Sequence, residues 1–440
     1  MLFITIPGRS PLSRAQRAIR PGDPVLAVAA ALSVASVLAG ASLAPGLAGL
    51  EVALGAEPGA LWVRLLVSTP ALGVPFGAML GAILARRLGD PRRLLMAALW
   101  GYAICGAAGA LGLALAPMLA LRFVQGVALG PVMLAALALL RHAPADEMPR
   151  RLAAQSMVMT AATLLILPVA AMASGLSWRL PFLMNLAPLL LLPAVASLPL
   201  AAFGAKAGAA PADTAPADPG RLLPGLLLAG AAMAVFFAVP TQMAGYLAGH
   251  GIAGALPAAG LIALSVLAAA LAGAALRRAS ISPTAGPAPF PLVVAGFAAM
   301  SLGAFQLAFA AGVPPMALGV LLIGGGFGVL FPALNHWALS GMAGIAATRA
   351  GAAVTAAFHV GQFGAPILGS AALTPGSPNR VFLPYLICGL AALTLALVER
   401  RALRHAPAQA VPRLSTEAAP APASAAAPAE DAMRPVVIAA

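Results

Sequence analysis

Charged residues are scarce in this sequence, and their scarcity excludes an ordinary water-soluble fold. Asp, Glu, Lys and Arg make up 8% of the 440 residues, whereas 61% of the residues are hydrophobic. A soluble globular domain carries about 25% charged residues. The chain has too few charges to cover a soluble surface of this size, so we expect lipid to be its main solvent.

Acidic residues are especially few, and the basic excess is not arranged as nucleic-acid binding would require. The chain has 12 Asp and Glu residues against 25 Lys and Arg residues, which gives a formal net charge of +13. Proteins that bind nucleic acid gather such charge on one face or along one helix. Here the basic residues stand in short clusters between apolar runs, which argues against nucleic acid as a partner.

Residues that carry enzymatic and metal chemistry are also sparse. The two cysteines, Cys105 and Cys388, lie inside apolar segments, and we interpret them as small core residues and not as a disulfide. The sequence has no cluster of His, Cys and Glu at metal-ligand spacing and no phosphate-binding glycine loop before a lysine. It therefore predicts a protein that is not an enzyme and that needs no cofactor or metal.

Apolar runs long enough to cross a bilayer dominate the chain instead. A membrane helix needs about 20 apolar residues to span about 30 Å of hydrocarbon, and lipid offers its backbone no outside partners. We therefore expect an all-α membrane protein with twelve transmembrane helices. The predicted helices are 25–45, 60–84, 94–115, 119–140, 155–176, 181–203, 223–247, 254–276, 289–312, 316–338, 350–372 and 381–398.

Basic residues indicate the orientation of these helices. With the amino terminus in the cytoplasm, 21 of the 25 Lys and Arg residues fall in cytoplasmic segments, as the positive-inside rule requires. An even number of helices then places both termini in the cytoplasm. The abundance of alanine and the near absence of lysine favour a bacterium with a GC-rich genome, and hence its inner membrane.

An Ala/Pro-rich linker divides the helices into two halves of six. We expect a cytoplasmic segment (1–23), an amino-terminal half (24–203), a cytoplasmic linker (204–221), a carboxy-terminal half (222–400) and a disordered cytoplasmic tail (401–440). The halves echo each other weakly, since Gly81-Ala-Ile-Leu-Ala-Arg-Arg ends the second helix and Gly273-Ala-Ala-Leu-Arg-Arg ends the eighth. A parallel repeat of this kind is the architecture of one transporter superfamily.

The turn after the second helix resembles the loop signature of the major facilitator superfamily. Leu84-Ala85-Arg86-Arg87-Leu88-Gly89 is followed by Arg92-Arg93, with Asp90-Pro91 inserted and Ala82 in the place of the leading glycine. Arg122 to Gly126 (RFVQG) resembles the fourth-helix motif of the family, and Trp178 to Phe182 (WRLPF) resembles its turn into helix six. The resemblance covers residues 24 to 400 and is nearest to a bacterial, twelve-helix, efflux-like branch.

The resemblance implies a gating role for the charged turn, with one departure from the family pattern. The gating residues would be Arg86, Arg87, Gly89, Asp90, Arg92 and Arg93. Arg86 stands where the family usually has an aspartate, and Asp90 could replace that acceptor beside Arg86 and Arg87. The alternative is that these arginines only fix the orientation of the chain.

Polar residues inside the predicted helices are the candidates for substrate binding or coupling, because such residues are costly in a membrane. They are Arg122, Gln125, Gln242, Tyr246, Asn335, His336, His359 and Gln362. The resemblance places Arg122 toward the cavity, although any member of the set could merely bond helices together. We expect Arg64 to extend its guanidinium to the interface. All acidic residues fall outside the predicted helices, so no buried carboxylate is expected.

The function predicted from these features is secondary transport of a small organic molecule by alternating access, as a proton-coupled exporter. His336 or His359 would carry the proton, since an imidazole titrates near neutral pH, and Glu51 and Glu57 would be the next candidates. A cavity that offers Arg122 without a carboxylate favours an anionic or neutral substrate, and the transporter is expected to be a monomer. The alternatives are a solute importer or a membrane sensor or scaffold that does not transport.

Topology is open to a direct test. We expect single cysteines near residues 50 and 375 to react with an impermeant maleimide in intact cells, and those near residues 90 and 212 to react only after the membrane is broken. The reverse pattern would contradict the twelve-helix orientation.

Overall fold

The twelve helices expected from the sequence are present in the computed structural model, which describes residues 23–141, 147–199, 203, 219–278, 290–339, 344–371 and 378–405. Helix α6 consists of three short consecutive segments, and the other eleven are regular. They are α1 (Pro24–Ala41), α2 (Leu61–Leu88), α3 (Pro91–Ala107), α4 (Leu115–Leu140), α5 (Met148–Leu176), α6 (Leu180–Ser197), α7 (Pro219–Gly249), α8 (Ala255–Arg278), α9 (Phe290–Phe309), α10 (Val313–Leu339), α11 (Gly344–Ser370) and α12 (Leu383–His405).

Eleven of the described helices are long and apolar enough to cross a membrane. The helix outside this count is α11, which contains Arg349, His359 and Gln362. A short helix, Leu47–Ala53, lies between α1 and α2. The amino-terminal segment as far as residue 22, the linker as far as residue 218 and the tail from residue 406, for which the sequence predicts disorder, lie outside the described residues. The bundle forms one unit as far as Glu399, and the end of α12 belongs to a separate unit.

Helix ends meet at two faces of the bundle. The Arg151 Nη2 atom lies 2.8 Å from Asp23 Oδ2, so α1 and α5 begin together. Arg92 Nη1 donates to the Leu198 carbonyl at 3.2 Å, so α3 begins where α6 ends. We call this end the terminal face. At the other end, the opposite face, Gly46 packs against Ser174, which places the ends of α1 and α5 together.

Prolines interrupt the regular bonding of α6. The segment comprises an α-helical turn (Leu180–Leu183), eight residues of 3₁₀-helix (Met184–Leu191) and a short α-helix (Leu192–Ser197). Pro188 and Pro193 have no N–H to donate to the carbonyls four residues earlier. The Leu189 carbonyl, which Pro193 cannot serve, accepts the N–H of Leu192 instead, and this is a 3₁₀ bond.

Glycines allow equivalent helix pairs in the two halves to approach until their backbones touch. A Cβ on Gly77 of α2 would overlap the backbone of Val127 in α4, and one on Gly126 would overlap Pro70. In the second half, Gly324 and Gly328 of α10 meet the backbone of α8 in the same way. Small residues permit such contacts in membrane helices. The α2–α4 and α8–α10 pairs therefore correspond, as a parallel repeat requires.

The apolar core is continuous between the halves at the opposite face and divided toward the terminal face. The largest cluster joins residues near the ends of α1, α2 and α5, such as Leu47, Val63 and Leu167, to the second half. A separate cluster that includes Leu32, Tyr102 and others fills the terminal side of the first half. The halves are thus packed together at the opposite face.

The glycine contacts predict a stability difference between two matched substitutions. Gly77→Ala should lower the melting temperature of the purified protein, because overpacking a close contact costs about 1–3 kcal/mol. Gly260→Ala, on an exposed part of α8 with open space around it, should be neutral or stabilising. Thermal unfolding in detergent, followed by size-exclusion chromatography, measures both. Equal melting temperatures would contradict the backbone contact between α2 and α4.

Candidate functional site

A cavity of about 330 Å³ lies between helices of both halves. Its walls come from α1, α5, α7, α8 and α11, and every lining residue that the structure describes is uncharged. The lining residues are Ser36, Val37, Gly40, Ala41, Ser156, Met159, Thr160, Thr163, Leu167, Phe236, Phe237, Pro240, Ile262, Ser265, Val266 and Gln362. The volume is at the lower end of the range typical of small-molecule sites.

A buried ion pair within the first half is linked by a hydrogen bond to the second half at the opposite face. Arg64, near the start of α2, is 4% exposed, and its Nε atom lies 3.6 Å from Oε1 of Glu51, which is 5% exposed. Arg64 Nη1 also donates to Oε1 of Gln242 in α7. Gln242 Nε2 donates in turn to Tyr385 Oη at 2.8 Å, and Tyr385 donates to the Ala365 carbonyl of α11. The chain of contacts thus crosses from the first half to three helices of the second.

Two sequence predictions are wrong at this face. Arg64 does not extend to the interface, because Glu51 and Gln242 bind its guanidinium inside the protein. A carboxylate is buried after all, because the short helix Leu47–Ala53 turns Glu51 back against α2. The sequence pattern missed this arrangement because Glu51 lies beyond the first predicted helix. Arg64, which lies in the following apolar run, was the available signal for a buried carboxylate, since a buried cation requires a partner.

Arg122 donates to backbone carbonyls of other helices that have no helical donor, and it is not among the residues that line the cavity. It is 1% exposed, and its Nε atom donates to the Leu66 carbonyl at 2.8 Å. That carbonyl has no intrahelical donor, because the residue four positions later is Pro70. Arg122 Nη2 donates to the Ala39 carbonyl, in the last turn of α1, where carbonyls lack helical partners. Arg122 therefore fastens α4 to α1 and α2.

A neutral chain of side chains extends from Arg122 to α3 and α6. Arg122 Nη1 donates to Gln125 Oε1 at 2.6 Å, and Gln125 Nε2 donates to Asn185 Oδ1 at 2.8 Å. The Tyr102 hydroxyl lies 3.0 Å from the same Asn185 oxygen and 2.8 Å from the Ala35 carbonyl. Gln125, Asn185 and Tyr102 are fully buried. Asn185 and Tyr102 were not among the sequence candidates, because single polar residues in apolar runs give no periodic signal.

The structure distributes the other sequence candidates over several places. Gln362 lines the cavity, whereas Tyr246 donates to the Leu307 carbonyl at 2.8 Å and stays 2% exposed. Asn335 donates to Phe331 of its own helix, and His359 Nδ1 contacts the Thr355 carbonyl. His336 is half-buried near the terminal end of α10. The candidates therefore do not form a single site.

The charged turn between α2 and α3 is a capping structure. Gly89 ends α2 with a φ of 67°, which favours glycine. Asp90 accepts the N–H of Arg92 at 2.9 Å as the cap of α3, and its carboxylate lies 3.6 Å from Arg92 Nε and 3.5 Å from Arg93 Nε. The expected pairing of Asp90 with Arg86 and Arg87 is wrong. Those two side chains are exposed at the end of α2.

The link between Arg122 and Pro70 predicts coupled effects on stability. Arg122→Met should destabilise the protein strongly, because each buried carbonyl left without a donor costs about 1–3 kcal/mol. In a Pro70→Ala background the new N–H can serve the Leu66 carbonyl, so the same change should cost less. Thermal unfolding of the wild type, both single variants and the double variant measures the coupling. Additive effects would contradict the assigned role of Arg122.

Comparisons with known proteins agree with this architecture. The family model for the Major Facilitator Superfamily matches residues 29–366. The fold is similar to the nucleoside transporter NupG (13% identity, 85% of this chain and 99% of that one, TM-score 0.67). It is also similar to the xylose transporter XylE from E. coli in a partially occluded inward-open conformation (16%, 85% and 98%, 0.65).

A third similar structure is the human organic anion transporter MFSD10 (16% identity, 86% of this chain and 100% of that one, TM-score 0.60). The search of curated proteins finds no significant match. The family match covers well over half of a chain whose described helices are mostly long and apolar enough to cross a membrane. The chain is therefore a multi-pass membrane protein that belongs to the Major Facilitator Superfamily.

Proposed function

We propose that the protein is a proton-coupled secondary transporter that exports a small organic molecule across a bacterial inner membrane by alternating access. The observation that carries the proposal is a cavity between two six-helix halves that are packed together at one face. A cavity so placed can be exposed to one side of a membrane at a time if the halves (24–203 and 222–400) rock about it.

The basic residues support a cytoplasmic terminal face. Among the described residues, Arg86, Arg87, Arg277 and Arg278 end α2 and α8 at that face, and an excess of basic residues favours the cytoplasmic side. The closed opposite face would then be periplasmic. In this orientation the present conformation is closed to the outside, as an exporter is when it collects its substrate from the cell.

The Arg64–Glu51–Gln242 contacts form the periplasmic gate in this proposal. To open that face, the halves must separate Arg64 from Gln242, because the two residues belong to different halves. A buried arginine is held by its acceptors, and losing one partner of a buried pair is strongly destabilising. Protonation of Glu51 would leave the Arg64 cation buried without a counter-charge, which favours an open face where Arg64 reaches water and separates from Gln242. Glu51 is therefore a better proton carrier than His336 or His359 in this proposal.

Two alternative functions, import and sensing without transport, predict different experimental results. Import by proton symport is the second candidate, since a D-xylose–proton symporter is among the structures with this fold (18% identity, TM-score 0.63). A knockout screened against a panel of compounds would separate the two, because loss of an exporter raises internal accumulation and loss of an importer lowers it. A sensor or scaffold would bind its ligand without any flux in liposomes.

The proposed gate can be tested without knowing the substrate. We expect spin labels at Gly49 and Ala253, exposed positions of the two halves at the opposite face, to move apart when the pH is lowered, because protonated Glu51 leaves Arg64 without a counter-charge and opening gives Arg64 access to water. Glu51→Gln should populate the longer distance at both neutral and acidic pH. Glu57→Gln, an exposed residue of the same connection, should behave like the wild type. Double electron–electron resonance in a cysteine-free background measures these distances.

Two results would contradict this assignment. One is a distance distribution of Glu51→Gln that follows pH as the wild type does. The other is a pH response that disappears in the His336→Ala, His359→Ala double variant while Glu51→Gln retains it, which would return the proton to the histidines.

A further inference from the structure

The cavity between the halves has a wall that disfavours charged ligands. The sixteen described residues that line it are uncharged, and both arginines that are buried in the described part of the chain already have hydrogen-bond partners. Arg122 serves Leu66, Gln125 and Ala39, and Arg64 serves Glu51 and Gln242. Placing an ion in such surroundings without a counter-charge is costly. Of the anionic and neutral substrates expected from the sequence, the wall therefore favours the neutral ones.

The hydroxyl groups of the wall present hydrogen-bond acceptors. Thr163 donates to the Met159 carbonyl at 2.7 Å, Thr160 to Ser156 at 2.9 Å and Ser265 to Ile262 at 2.8 Å. A carbonyl oxygen can only accept, so each hydroxyl hydrogen points back to its own helix and the lone pairs of its oxygen are left unused. Ser265 is fully buried, so the oxygens open to a ligand are those of Thr160 and Thr163 in α5. A ligand that donates an N–H or O–H matches these oxygens, and one that only accepts does not.

Aromatic rings form one side of the cavity, and one of them stacks on a ring of a neighbouring helix. Phe236 and Phe237 of α7 both line it. The ring of Phe236 stacks on Phe327 of α10, with centroids 4.2 Å apart and planes 12° from parallel, and Phe327 meets Phe358 of α11 edge-on. A flat ring can add to such an arrangement by stacked or edge-to-face contact.

We infer, on the basis of the proposed transport function, that the cavity binds a neutral molecule with a planar apolar ring and at least one hydrogen-bond donor. The ring packs against Phe236 and Phe237, and the donor bonds to the hydroxyl oxygens of Thr160 or Thr163 in α5. A volume of about 330 Å³ suits a one- or two-ring compound, because larger ligands occupy pockets toward 1,000 Å³.

An indole series tests each part of this inference separately. Indole is neutral and planar with one N–H donor, 1-methylindole lacks the donor, indole-3-acetate is an anion and tryptamine is a cation. Equilibrium dialysis against protein in lipid nanodiscs, corrected with empty nanodiscs for partition into lipid, measures binding. We expect indole to bind about 5–10-fold more tightly than 1-methylindole, as one hydrogen bond allows, and at least tenfold more tightly than either charged compound.

Matched variants connect the binding to named residues. Phe236→Ala should weaken indole binding at least fivefold, and Phe236→Leu, which preserves more of the packing, should weaken it less. Phe305→Ala, a ring on the exposed side of α9, should leave binding unchanged. The Thr160→Val, Thr163→Val double variant should reduce the preference for indole over 1-methylindole, whereas Thr394→Val, an equally back-bonded threonine of α12, should preserve it.

The outcomes separate this inference from the proposed transport. Charged members that bind as tightly as indole, equal binding of indole and 1-methylindole, or no binding of any member would overturn the ligand class. An unchanged preference in the threonine double variant would overturn the role of the hydroxyls. Specific indole binding without flux into liposomes would uphold the ligand class and count against transport.

Discussion

The interior of a bilayer offers no hydrogen bonds, so every backbone carbonyl that loses its helical donor must find another donor within the protein. This constraint explains much of the polar architecture. Pro70 frees the Leu66 carbonyl, the end of α1 frees that of Ala39, and one arginine from a third helix serves both. The proline that interrupts the hydrogen bonding of α2 thus also creates the acceptor through which Arg122 holds the helices together.

The two buried arginines differ in what they join. Arg122 bonds to groups within the first half, and its partners stay together when that half moves as a body. Arg64 bonds to Glu51 in its own half and to Gln242 in the other. Charge–carbonyl bonds within a half favour rigidity, whereas contacts between the halves at one face must break when that face opens. An arginine therefore holds helices of one half together at position 122, whereas at position 64 it forms a contact between the halves that must break when the face opens.

The sequence predicted the parts of the fold that the bilayer dictates. Helix number, approximate ends and pairing of the halves follow from apolar length and charge position, and the described helices match them closely. The roles of individual side chains were harder to predict from the sequence, because they depend on which helices are in contact. Glu51 lies outside any apolar run, and nothing in its spacing shows that it turns inward. The position of Pro70 in the sequence indicates that the Leu66 carbonyl lacks its helical donor. It does not indicate that Arg122 reaches that carbonyl. Of the candidates predicted from the sequence, Gln362 lines the cavity. The Ser and Thr hydroxyls of the cavity were not predicted, because Ser and Thr are common in membrane helices.

The 3₁₀ stretch in α6 has a consequence for the span of that segment. Residues 180–197 number 18, and as a regular α-helix they would extend about 27 Å, a little short of the roughly 30 Å hydrocarbon thickness. Eight of them are drawn out to about 2.0 Å per residue, which lengthens the whole to about 31 Å. The prolines that disturb its hydrogen bonding thus let an unusually short segment match the membrane without thinning the bilayer around it.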